Sequence, residues 1–180
     1  KNNKMSTVGR DFKILDNLQL NFLSKNDIIY NQGASDEEIK AAELAFGASF
    51  PQEMKDLYKY ANGNKIYPDY YGSPRLIEGR FSLLSLTDAI KYYNNIDWNE
   101  YEDLYEPDCF PGDKLFPIMD GGKFDVYWID LNQDSKNKNQ IYKKKKKKSQ
   151  NSYEFLSLEN MINTYKIAYE NKKKKKKNEY

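Results

Sequence analysis

Apolar positions recur along this chain with two different periods, and the change of period divides it. Residues 11–24 (DFKILDNLQLNFLS) place Phe12, Leu15, Leu18 and Phe22 at helical spacing and predict an amphipathic first helix. Ile28, Ile29 and Tyr30 predict a short strand ending in a turn at Gly33. Ser35-Asp36-Glu37-Glu38 is a capping box, a serine N-cap with a glutamate three residues on, and it opens a helix with Ile39, Ala42 and Phe46 on one face and Gly47 at its end. Pro51 fits the first position of the next helix, where its missing N–H is no loss. Met54, Leu57, Tyr58 and Ala61 form that helix's buried stripe, and Asn62-Gly63 is its stop signal. Residues 64–79 carry Asn64, Pro68, Gly72, Pro74 and Gly79 and read as irregular; Tyr67, Tyr70 and Tyr71 there either pack on the body or form a platform.

From Phe81 the pattern turns to strands. Phe81–Leu86 predicts a short strand, followed by a helix from Asp88 to Asn95 with Thr87 as its N-cap. Leu115–Leu131 (LFPIMDGGKFDVYWIDL) is the centre of the pattern. Two apolar runs flank Asp120-Gly121-Gly122-Lys123, a strong hairpin signal. The second run is apolar on both faces, as in a central strand covered on each side. Asn132–Asn139 is a polar turn, Gln140-Ile141-Tyr142 begins another strand, and Tyr153–Leu156 leads into a last helix over Ser157–Asn171 with Leu158, Met161, Ile162, Tyr165 and Tyr169 on one side. The order predicts a single α+β domain, a mostly antiparallel sheet with helices packed on one side. Its expected limits are 11–171, between residues 1–10, disordered or added ahead of a native start at Met5, and a disordered lysine-rich tail at 172–180.

Composition narrows the chemistry. The chain has no histidine, which removes Ser-His-Asp and Cys-His nucleophilic catalysis and histidine metal sites. The single cysteine, Cys109, cannot form an internal disulfide and suits a reducing compartment. Absence of a long apolar run and of a signal-peptide core leaves a cytoplasmic protein with no membrane association as the expectation. The net charge of +2 conceals a split: Lys143–Lys148 and Lys172–Lys177 are uninterrupted, and without them 17 basic residues face 27 acidic ones. Like-charge blocks are ordinarily solvated, so the first reading is a loop and a tail; the alternatives are a nucleic-acid or anionic-membrane role, or runs of non-native origin. On that reading no direct nucleic-acid partner is expected.

Five pieces of the chain, in order, resemble the SUKH superfamily, which includes fungal cell-wall-assembly regulators and bacterial immunity proteins. They are Ala42-Glu43 with Phe46-Gly47; Phe50-Pro51 through Asn62-Gly63 (FPQEMKDLYKYANG); Leu83–Leu86; Leu115-Phe116-Pro117-Ile118 with Gly122–Leu131; and SYEFLSLENMI. They span roughly residues 35–165. Phe124, inserted between the glycines and Asp125, departs from the pattern, as does the lysine block in a variable strand. The motif residues have structural explanations: Pro51 starts a helix, Gly63 ends one, and Asp125 or Asp130 can satisfy backbone near strand ends. The resemblance implies a protein-binding module without chemistry or cofactor. In the bacterial relatives the partner is a cognate toxin, often a nuclease, delivered by a neighbouring cell in contact-dependent polymorphic toxin systems. The toxin contacts themselves do not carry over.

The candidate partner-binding residues come from the chain's own charge. Residues 96–113 (IDWNEYEDLYEPDCFPGD) hold seven carboxylates and no basic residue, with aromatics interleaved. Asp97, Trp98, Glu100, Tyr101, Glu102, Asp103, Tyr105 and Glu106 are the expected contact set. Carboxylates could imitate nucleic acid toward a basic nuclease site, with aromatic anchors adding desolvated contact. The competing reading is a solvated acidic loop whose aromatics face the core. Other functions have less support. A cell-wall scaffold or regulator would suit the fungal relatives. A glycosidase-like carboxylate pair would need Asp97/Glu100 or Asp125/Asp130 set across a cleft. A hard-cation site lacks the ligand spacing and mid-loop glycine of an EF-hand. The expected partner is therefore a toxin protein, bound by a monomer.

Overall fold

The computed structural model describes residues 7–19, 30–63, 82–96, 114–120, 126–143 and 152–178. Three helices come first: α1 (Thr7–Gln19), α2 (Asp36–Phe46) and α3 (Gln52–Tyr60). Then β1 (Ser82–Leu83), α4 (Leu86–Asn94), β2 (Leu115–Asp120), β3 (Val126–Asp130), β4 (Ile141–Lys143), β5 (Ser152–Phe155) and α5 (Leu158–Asn178) follow. The strands form one antiparallel sheet in the order β1-β2-β3-β4-β5. The chain is thus an α+β domain with helices packed against an antiparallel sheet.

The two strands of the central hairpin pair antiparallel as the pattern implies, while the Gly121-Gly122-Lys123 turn lies outside the described residues. Leu115 pairs with Asp130, Phe116 with Ile129 and Pro117 with Trp128, and the register shifts between Pro117 and Met119. Proline cannot donate to the ladder, and this irregularity is where a strand tolerates it. Alternation along β3 then divides the interior. Tyr127 and Ile129 point into the main core, with Phe116, Ile118 and Met119 from β2 and with Met54, Leu57, Tyr58, Leu158, Met161 and Ile162 from α3 and α5. Trp128 and Val126 point to the other face, where Leu115 and Tyr142 join them. That second layer is packed by Tyr92 and Tyr93 at the end of α4 and by Ile96 just beyond it. Phe46, Phe50 and Tyr58 each meet Phe116 edge-on, with ring centroids 5.0, 5.0 and 6.4 Å away.

Several element ends differ from expectation, each for a local reason. Pro51 is the N-cap of α3 rather than its first residue, with ψ of 154°. α4 begins at Leu86 because Ser85, not Thr87, is its N-cap; the Ser85 hydroxyl accepts from Asp88 N–H at 3.0 Å. α1 starts at Thr7, within the stretch assigned to an unstructured N-terminus, and its Asp11 pairs with Lys166 of α5 at 2.9 Å. α5 continues through the second lysine block to Asn178, where a tail was expected from residue 172. Lysine is a good helix former, and a helix already nucleated by a packed first half adds residues at little cost. The strand predicted at 28–30 is represented by a single bridge residue, Tyr30, since 20–29 lie outside the described residues.

Candidate functional site

The residues that make up the recognisable motifs are bonded within the chain. Ser35 and Glu38 form the reciprocal capping box: Glu38 N–H donates to Ser35 Oγ at 3.2 Å and Ser35 N–H to Glu38 Oε2 at 2.7 Å. Glu43 reaches from α2 to the start of α3, accepting from Phe50 N–H at 2.7 Å and pairing with Lys55 at 2.8 Å. Burial alone would raise its carboxyl, but the Lys55 and Phe50 hydrogen bonds, with the Lys55 and Lys40 charges, hold it below the ordinary value. Gly47 closes α2 by donating to Glu43 O at 2.9 Å, and Lys114 Nζ donates to Phe46 O at 3.2 Å beside the Phe46 ring.

Asn62 and Gly63 join three segments. Asn62 Oδ1 accepts from Leu86 N–H, the start of α4, at 2.9 Å, and Asn62 O accepts from Asn31 Nδ2 at 2.9 Å. Gly63 has φ of 85°, and a Cβ there would lie 2.6 Å from Ser85 N, so both its backbone angle and its neighbour exclude a side chain. Asp130 is fully buried at the end of β3. Its Oδ1 accepts from Asn132 N–H at 2.9 Å and its Oδ2 from Ser135 Oγ at 2.6 Å, which fixes the β3–β4 connection. This is the backbone-satisfying role anticipated for it. Asp125 lies outside the described residues.

The candidate contact set, Asp97, Trp98, Glu100, Tyr101, Glu102, Asp103, Tyr105 and Glu106, also lies outside the described residues. What the structure describes is where that segment leaves and rejoins the fold. Ile96 packs against the Trp128 layer, and Lys114, whose carbonyl accepts from Leu131 N–H at 2.8 Å, leads directly into Leu115 of the same layer. Tyr92 stands 5.9 Å from Trp128 by ring centroids, and Tyr93 stands 4.9 Å from Phe46. Sequence reading did not single out Tyr92 or Tyr93. The signal available was their adjacency at the end of a helix: neighbours 100° apart can face two different layers.

One further described feature concerns charge. Glu53 of α3 accepts from the N–H groups of Leu158 and Glu159 at 3.3 and 3.0 Å, and burial pushes its carboxyl above the ordinary value despite those bonds. Among the described residues, no group of three or more carboxylate or thiol ligands gathers as a metal site would require, and no helix is long and apolar enough to cross a membrane. A model of the SMI1 / KNR4 family (SUKH-1) matches residues 33–163. No curated protein matches the chain. The matched range runs from Gly33 to the second turn of α5 and includes every motif residue described above. The chain belongs to the SMI1 / KNR4 family, and that membership supports a protein-interaction module. α1 and the remainder of α5 lie outside the matched range.

Proposed function

We propose that this member of the SMI1 / KNR4 family is a non-enzymatic immunity protein, acting as a cytoplasmic monomer, that binds and neutralises a cognate toxin of the nuclease class. The observation that carries the reading is a division of labour. The described motif residues are engaged in bonds inside the fold, so recognition falls to other residues. The most acidic stretch of the chain departs at Ile96 and returns at Lys114, beside the Trp128 layer. A nuclease must expose positive charge to hold phosphate. Asp97, Glu100, Glu102, Asp103 and Glu106 would meet that charge and speed encounter, while Trp98, Tyr101 and Tyr105 would slow release.

The test is binding kinetics of the full chain against toxin domains secreted in its source organism's community. The expected result is nanomolar capture of one nuclease domain with loss of its activity. Charge reversal at Glu100, Glu102, Asp103 and Glu106 should then lower the association rate at low salt by ~10-fold or more and flatten its salt dependence. Unchanged kinetics would remove these residues as the binding surface. Capture of cell-wall-assembly or signalling proteins, with no toxin, would replace the immunity reading with that of an intracellular regulator.

A further inference from the structure

Lys143, the first residue of the first lysine run, and the second run, far apart in sequence, are tied to one end of the fold. Lys143 closes β4 opposite Tyr127 and Ser152. Its ammonium lies 5.2 Å from the centre of the Tyr127 ring, and the Tyr127 hydroxyl lies 3.0 Å from the Tyr165 hydroxyl on α5. The second run begins seven residues beyond Tyr165 on that same helix. At the rise of an α-helix this is about 10 Å further along the axis. The other five lysines of the first run follow Lys143 directly in sequence.

Six consecutive helical positions at 100° steps take in the whole circumference, and Lys174 and Lys175 are exposed. From Glu170 to Asn178 the helix holds no apolar residue. Without an apolar face the helix cannot insert into a bilayer, and at a flat anionic surface only the lysines on the side facing it could contact headgroups. A flexible strand of phosphates can follow charge around a helix, and lysine binds phosphate as a point charge without reading bases. The remainder of the chain is acidic, with 27 carboxylates against 17 cations. Its repulsion is screened over about 8 Å at physiological salt, so the local pole governs contact. We infer that the pole formed by Lys143 and the Lys172–Lys177 turns of α5 binds single-stranded nucleic acid through its phosphates, without base preference. Nucleic-acid binding there does not depend on the toxin-binding reading.

The experiment uses the full chain and a fluorescent oligo(dT) of about 20 nucleotides, with anisotropy measured between about 50 and 200 mM salt. Six contacted phosphates correspond to a log–log salt slope of about −4 for a single strand. Replacing Lys172–Lys177 by glutamine, which keeps helix propensity, should flatten the slope by about that amount and weaken low-salt binding by ~10-fold or more. Replacing Lys13, Lys40, Lys91 and Lys136 by glutamine should change affinity by less than about twofold, because those lysines are dispersed. The inference is overturned if the six-fold replacement leaves the slope unchanged or if the dispersed replacement removes as much binding. It is overturned equally if the parent chain binds phosphatidylserine vesicles but not the oligonucleotide.

Discussion

Glu53 offers the sharpest test of how the helices are held together. Its carboxylate, in the first turn of α3, accepts hydrogen bonds from Leu158 N–H at 3.3 Å and Glu159 N–H at 3.0 Å, the first two residues of α5. Ser157 Oγ takes the N–H of Asn160 at 3.0 Å. The open donors at the start of α5 are therefore shared between its own N-cap and a side chain from another helix. Glu53→Ala removes the second contribution. A cap of this kind is worth roughly 0.5–2 kcal/mol, and hydrogen bonds to a charged group lie at the upper end. Burial of the carboxylate and the nearby Glu159 charge oppose it, as its raised pKa reports. The net expected loss is about 1–2 kcal/mol at neutral pH, a fall in Tm of about 2–8 °C for a chain of this length. Glu53→Gln keeps one acceptor and should lose about half as much.

The pH dependence carries an independent sign. Glu53's folded pKa lies above its ordinary 4.5, so as pH falls through the folded value the native state takes up the proton before the unfolded chain does. The parent should therefore gain stability relative to Glu53→Gln as pH falls from neutral through the folded value, the gain levelling off below pH 4.5. Chemical denaturation followed by circular dichroism measures both quantities. An alanine effect within ~0.5 kcal/mol, the range of ordinary surface changes, would refute the capping argument. A parent that loses ground to the glutamine variant on acidification would refute the electrostatic one.

Three other substitutions follow from the same packing. Tyr58→Phe should leave stability unchanged or raise it by up to ~1 kcal/mol, because the fully buried Tyr58 hydroxyl has no hydrogen-bond partner among the described residues; a loss above ~1 kcal/mol in urea denaturation would contradict this. Gly33→Ala should cost about 3 kcal/mol or more, since a Cβ there would stand 1.8 Å from Lys59 O, a backbone atom; a calorimetric Tm matching the parent would contradict it. Glu43→Gln should show the opposite acid behaviour to Glu53→Gln: Glu43's folded pKa is lowered, so its contribution is present above pH 4.5 and is lost as pH falls through the folded value. A gap between parent and variant that stays constant below pH 4.5 would contradict that sign.

Periodicity and turn chemistry made the core elements legible. The capping box at Ser35, the hairpin from Leu115 to Leu131 and the apolar stripes of α2, α3 and the first half of α5 all follow from local rules, and the structure has them. Less legible were features decided between distant segments. Nothing around Glu53 signals that it caps a helix beginning at Leu158, because the bond joins residues 105 apart in sequence. The N-cap of α4 fell on Ser85 rather than Thr87 because Asn62 Oδ1 takes the N–H of Leu86 and draws the helix start forward. The lysine block at 172–177 reads as a tail by charge alone, yet α5 enters it with its first half already anchored on Met161, Ile162 and Tyr165. The candidate contact residues 97–106 lie outside the described residues, so their reading still rests on charge and composition.

On the proposed reading the family motif and the binding surface are different parts of this molecule, and the bonding of the motif says why. Glu43, Asn62, Gly63 and Asp130 each connect elements that are separate in sequence: α2 to α3, α3 to α4, and β3 to the turn before β4. A carboxylate that already accepts two hydrogen bonds inside the fold cannot be lent to a partner without loosening the fold. A glycine required by a backbone contact has no side chain to offer. A scaffold of this kind identifies itself by the residues least able to choose a partner. Partner choice is left to segments whose sequence the scaffold does not constrain, and this chain has two of strong and opposite charge. One is the acidic stretch between Ile96, which packs on the Trp128 layer, and Lys114, which leads into it. The other is the lysine pole at the far end of α5, beyond the matched range. Opposite charges suit two different partners, and the toxin and oligonucleotide tests use different substitutions and can fail independently.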